Sequence, residues 1–131
     1  LNQAGVYLDS QGAYDRALAH AERSLALREI RLGPDHAEVA VACNNLSGQL
    51  GRLGRPDEAE PYGARAVAIA VRTPAVPETS RAIRLSTHGL VLRALGQAET
   101  GEERAALWRR AARRFQAALA IGLRSHGRPS R

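Results

Sequence analysis

The chain has 131 residues, 44 % of them hydrophobic but only 4 % aromatic, so Ala and Leu must fill a core that suits close helix packing better than a sheet. A lone cysteine, Cys43, excludes an internal disulfide and a cysteine-based metal cluster, and no apolar run approaches the roughly 20 residues that span a bilayer. Every one of the 19 basic residues is Arg, a usage that fits the codon bias of a GC-rich genome, and the net charge of +6 sits at one end: residues 1–100 carry 11 Arg against 11 acids, residues 101–131 eight Arg against two Glu.

In chain order, residues 1–11 are expected to form a short helix with Leu1, Ala4, Gly5 and Leu8 on one face, stopped by Gly12, which takes a left-handed turn cheaply. Residues 14–31 are its partner, with Ala17, Leu18, Ala21, Leu25 and Ile30 inward, and Gly33-Pro34 breaks the chain. The next helix spans 36–53, with Val39, Cys43, Leu46 and Leu50 on one face and Gly54 at its end. Pro56-Asp57 opens a helix over 57–72 that presents Ala59, Gly63, Ala66, Val67 and Ala70. After the break at 73–77, residues 78–95 carry Ile83, Leu85, Val91, Leu92 and Leu95. Thr100 and Glu103 have the spacing of a capping box. The helix they open is expected to run to about Leu123, with Trp108, Ala111, Phe115, Ala118 and Leu119 as its apolar stripe and Arg109, Arg110, Arg113 and Arg114 off it.

These helices repeat. A shift of 42 residues aligns Asn2 with Asn44, Leu8 with Leu50, Gly12 with Gly54, Asp15 with Asp57, Ala17 with Ala59 and Arg23 with Arg65. A third copy starts at Leu85, where Leu92 matches Leu50 and Gly96 matches Gly54. The helix-two positions Ala111 and Phe115 match only if about ten extra residues precede them. The domain is therefore expected to cover 1–124 as repeats of about 1–42, 43–84 and 85–124, with an insertion near 97–110 and a frayed tail over 125–131.

The pattern Leu1, Ala4, Gly5, Leu8, Ala17, Ala21, repeated as Cys43, Leu46, Ser47, Leu50, Ala59, Gly63 and as Leu85, His88, Gly89, Leu92, Ala111, Phe115, resembles the tetratricopeptide repeat. Three segments look like its 42-residue, kinesin light chain-like variety: Cys43-Asn44-Asn45-Leu46, Asp57-Glu58-Ala59-Glu60-Pro61-Tyr62 and Leu32-Gly33-Pro34-Asp35-His36. The resemblance implies an all-α fold of antiparallel helix pairs stacked as a right-handed α-solenoid, about three repeats and six helices, because one pair cannot bury its own apolar face. It also implies a non-catalytic scaffold whose first helices line a concave groove for a peptide or partner protein. The groove positions are then Asn2, Gln3 and Asp9, next Asn44, Asn45 and Arg52, and last Ser86, Thr87 and Arg93. An Asn amide, with an acceptor and two donors, matches a peptide backbone, and Arg pairs with carboxylates. Equally, the Asn pair bridges neighbouring helices, and the two Arg sit favourably near helix C-termini.

Catalytic chemistry is not legible. There is no Gly-rich phosphate loop and no His pair at helical zinc spacing. His20, His36, His88 and His126 are scattered, and Cys43 occupies a core position as a small hydrophobe. No cofactor is expected. The competing reading is nucleic-acid or acidic-partner binding through Arg109, Arg110, Arg113 and Arg114, against which stands the lack of interleaved aromatics. Self-association through the ends of the array is a third. The absence of a signal-peptide pattern points to a cytoplasmic chain. With no Met in the chain and Leu1 already inside a helical pattern, a fragment of a longer protein or a chain trimmed at its N-terminus is expected, and the resemblance implies a bacterial regulatory or signalling protein.

Overall fold

A computed structural model describes residues 3–126, with the side chains of 12–123. The described residues form five helices and no strand: α1 (Gln3–Leu32), α2 (Ala37–Arg52), α3 (Pro56–Arg72), α4 (Glu78–Gln97) and α5 (Gly101–His126). Each packs on the next in chain order, and α2 also touches α4. Short connections make consecutive helices antiparallel, so α2 and α4 run the same way.

The helix count differs from expectation at Gly12, which lies inside α1 instead of ending it. Its repeat equivalent Gly54 does end α2, at φ 75°. The neighbouring residues make the difference. Gly54 precedes Arg55-Pro56, and Pro56 lacks the N–H a continuing helix needs; Gly12 precedes Ala13-Tyr14, which the helix accepts. A glycine alone costs a helix interior about 1 kcal/mol, too little to stop it. Without a second helix folded back on it, α1 also leaves side chains bare that were expected inward. Leu18 and Leu25 are buried, but Ala17 is exposed and Ile30 is 81 % exposed. Ile30 lies five residues, about 140° of helix rotation, beyond Leu25.

The main core joins α1, α2 and α3 through Leu18, Leu25, Val39, Cys43, Leu46, Leu50, Ala59, Ala66 and Ile69. Small residues bring α2 and α3 together. Ser47 Oγ donates to the carbonyl of Ala59 at 2.9 Å, both buried, and a Cβ on Gly63 would lie 2.8 Å from that hydroxyl. The α1–α2 linker is tied down by side chains. Gly33 takes φ 91°, and His36 caps α2 by accepting from the N–H of Glu38 at 3.1 Å. Arg65 of α3 reaches both Glu29 (3.1 Å) and the carbonyl of Pro34 (3.0 Å).

Of the expected insertion at 97–110, Gln97 ends α4 and residues 101–110 are helical. They lengthen α5 by its first turns, and only residues 98–100 stand between α4 and α5. Gly101 starts α5 at φ 59°. Arg104 caps the end of α4, its Nε donating to the carbonyls of Gly96 (3.1 Å) and Glu99 (2.8 Å). Two aromatics then lock α5 on. A Cβ at Gly89 would stand 2.9 Å from the Phe115 ring, and one at Gly96 would overlap the indole of Trp108. The two glycines are seven apart on α4, as the two aromatics are on α5, so bare backbone meets ring twice on one seam.

Two further expectations about α5 are corrected. Leu119 is 63 % exposed and Ile121 is buried with Val67 and Leu85 instead, because the inward stripe runs Ala111, Arg114, Ala118, Ile121 at helical spacing. Arg114 is therefore not on the outer strip. Its Nε donates to Nδ1 of His88 at 3.1 Å, and His88 Nε2 meets Glu60 at 2.8 Å. His88 is fully buried, so α3, α4 and α5 share one polar contact inside the apolar packing.

Candidate functional site

The 42-residue offset makes Val41 of α2 the repeat equivalent of Ile83 of α4, Asn45 that of Thr87, Gly48 that of Leu90 and Arg52 that of Ala94, and the two helices touch. A groove of about 310 Å³ lies between them, lined by Ser47, Gly48, Gly51 and Arg52 of α2 and by Thr87, Leu90, Val91 and Ala94 of α4. Two glycines keep the α2 wall low: a Cβ at Gly48 would meet only Arg52 at 3.8 Å, and one at Gly51 only Val91 at 3.8 Å. Leu90 is half-exposed, as is Ile83, part of the apolar content of the same helix. Helical spacing puts Ile83 one turn before Thr87 and two before Leu90, on the groove face.

Some of the expected positions meet here and others do not. Arg52 and Thr87 line the groove. Asn44 is aligned with Gly48 and Gly51 along α2, half-buried, and its Oδ1 is buried without a hydrogen-bond partner among the described residues. Asn45 is exposed, in line with Arg52. Ser86 is half-buried at the far edge of α4, in register with Arg93. Arg93 lies elsewhere, in a second groove of about 400 Å³ between α4 and α5. Asn2 lies outside the described residues, as do the side chains of Gln3 and Asp9.

Arg52 also borders a cavity of about 500 Å³ between α1 and α2, with Tyr14, Ala17, Leu18, Gln49 and Leu53. Tyr14 and Ala17 thus face an open space in place of a returning helix. Among the described residues no carboxylate pairs with Arg52. Its charge is available at a wall shared by two grooves.

Paired in repeats, wound with Gly33 and Gly54 in left-handed turns and packed with small residues at Ser47, Ala59 and Gly63, the helices match a known family over residues 1–71, that of the tetratricopeptide repeat. The chain belongs to the tetratricopeptide repeat family. A comparison with curated proteins finds no match. Tetratricopeptide repeats generally mediate protein–protein interaction and are generally non-catalytic. The matched region includes α1, α2 and nearly all of α3; α4 and α5 extend beyond it.

Two titratable side chains of this tetratricopeptide repeat chain lie in the packing. Cys43 is fully buried, and burial pushes its thiol above the ordinary range, against a lesser opposing pull from Arg65. Burial likewise holds His88 below the ordinary imidazole range, with Arg114 adding to it and Glu60 opposing. No group of three or more His, Cys, Asp or Glu among the described residues is arranged to hold a metal ion. No described helix is long and apolar enough to cross a membrane. Of the four Arg on α5, Arg114 is engaged by His88 and Arg109 lies 3.9 Å from Glu102, leaving Arg110 and Arg113 exposed and without an ion-pair partner among the described residues.

Sequence reasoning missed Gly48, Gly51 and Leu90. The signal was in the 42-residue offset, which pairs Gly48 with Leu90 but does not say which helix face stays open.

Proposed function

We propose that this chain is a protein-interaction scaffold that holds an extended peptide of a partner protein in the α2–α4 groove. The observation that carries the reading is the groove itself, where two expected positions, Arg52 and Thr87, line the space with exposed Leu90 and with Gly48 and Gly51 of the α2 wall. The apolar wall accepts a side chain, the Asn44 and Asn45 amides match a peptide backbone, and Arg52 supplies a charge for an acidic group. Asn2, Gln3, Asp9, Ser86 and Arg93 belong to the wider set of candidate contacts. The reading takes the helices as a right-handed solenoid of the kinesin light chain-like variety, in a cytoplasmic bacterial regulatory or signalling protein of which this is a part. Withdrawal of Arg114 into the packing weighs against the alternative of nucleic acid on the α5 strip.

Panning a displayed peptide library on the protein tests this. Selected peptides are expected to lose about tenfold or more in affinity by calorimetry on Leu90→Glu, at unchanged helicity. Selected peptides that bind the variant equally would remove the groove from consideration.

A further inference from the structure

The second groove, between α4 and α5, is built around an aromatic that is fixed and yet open. Trp108 Nε1 donates to the carbonyl of Arg93 at 3.3 Å, and the ring sits against Gly96, where any Cβ would overlap it. The guanidinium of Arg104 is 5.2 Å from the ring centroid and is itself held by the carbonyls of Gly96 and Glu99. So the indole has one orientation, while 43 % of Trp108 remains exposed. A rigid, half-open aromatic loses little conformational freedom on binding, which favours recognition. The walls beside it are Ala111, Ala112 and Phe115, with Arg93 and Gln97 across the groove.

We propose that this groove docks an acidic peptide segment, one bulky apolar side chain of which inserts against Trp108 and Phe115 while a neighbouring carboxylate pairs with Arg93. The apolar part follows from the walls, since Ala111, Ala112 and Phe115 offer neither donor nor acceptor from their side chains. The acidic part follows from charge. No carboxylate of the described residues pairs with Arg93, and the described side chains of α5 include five Arg (Arg104, Arg109, Arg110, Arg113 and Arg114) against two Glu (Glu102 and Glu103), an excess of positive charge that attracts anionic partners. Single-stranded nucleic acid fits less well. Its bases need a free aromatic face, and Arg104 already lies over this one. The inference does not depend on the α2–α4 groove.

Trp108 is the sole tryptophan, so its emission reports this groove directly. The probe is a short synthetic peptide of Asp and Glu around a central Leu pair, titrated to millimolar at low salt. The control replaces its acids with Lys. The acidic peptide is expected to shift or quench Trp108 emission saturably, the Lys peptide to leave it unchanged. Arg93→Glu and Ala112→Glu, both at exposed helix positions, are expected to weaken the response about tenfold or more at unchanged helicity. Leu90→Glu, in the other groove, is expected to leave it intact. No response to the acidic peptide, an equal response to the Lys peptide, undiminished binding by Arg93→Glu, or a response only to a single-stranded oligonucleotide would each overturn the proposal.

Discussion

The guanidinium of Arg114 donates its Nε–H to Nδ1 of His88 across 3.1 Å, which makes Nδ1 an acceptor and leaves the imidazole proton on Nε2, facing Glu60 at 2.8 Å. A neutral ring satisfies both neighbours; a protonated one sets two donors against each other at Nδ1. Burial is the largest cause of the depressed His88 pKa. The folded state therefore binds fewer protons than the unfolded one between the depressed value and the ordinary imidazole value of 6.5. The contribution of His88 to stability is expected to be flat above that value and to decline as pH falls below it. Urea unfolding over a pH series measures this. His88→Gln, which keeps an acceptor and a donor, is expected to remove the decline above the carboxylate range. An identical decline in the variant would assign it to other groups.

Gly12 and Gly54, aligned by the repeat, are expected to respond oppositely to alanine. Gly12 sits inside α1, and an added Cβ would meet only Arg16 Nη1 at an ordinary 3.6 Å. Gly12→Ala should stabilise the helix by up to about 1 kcal/mol. Gly54 has φ 75° with open space around it, so Gly54→Ala should cost about 1–2 kcal/mol through the left-handed backbone alone. Chemical denaturation of both variants checks the pair. Equal signs would mean that α1 breaks at Gly12 after all.

Gly96→Ala is expected to destabilise by about 1–3 kcal/mol, since the Trp108 ring must move away from the space the new Cβ takes. The same change should lose the bond to the Arg93 carbonyl and red-shift Trp108 emission. In a double-mutant cycle with Trp108→Ala the cost should be far from additive. Additive costs would show that the ring does not rest on Gly96.

Cys43 is fully buried with a raised pKa, so its thiolate is scarce and shielded. A thiol reagent is expected to label it only as the protein unfolds, with the labelled fraction tracking the urea transition. Fast labelling under native conditions would contradict the core around Leu46 and Ile69.

Much of the helical plan is legible in the sequence because its signals are local. Pro56, Gly33 and Gly54 act through their own backbone, and the 3.6-residue spacing of Val39, Cys43, Leu46 and Leu50 names a buried face without reference to a partner. Gly12 misleads because a glycine is only permission to turn, and the deciding feature is a Pro two residues on, present after Gly54 and missing after Gly12. Ile30 and Leu119 mislead because an apolar residue declares only that it tolerates burial. Whether it is covered depends on which helix arrives.

Of the residues lining the candidate groove, the sequence, through its resemblance to the family, named Arg52 and Thr87 as expected positions. The tertiary structure alone decided that Arg52 and Thr87 share one groove and that Arg93 belongs to another. It also decided that Arg114 turns inward to His88 while Trp108 stays half open on Gly96. The physical reason is that register along a helix is written in chain spacing, whereas these outcomes depend on how closely two helices approach. That approach depends on which bare glycine of α4, Gly89 or Gly96, meets which ring of α5.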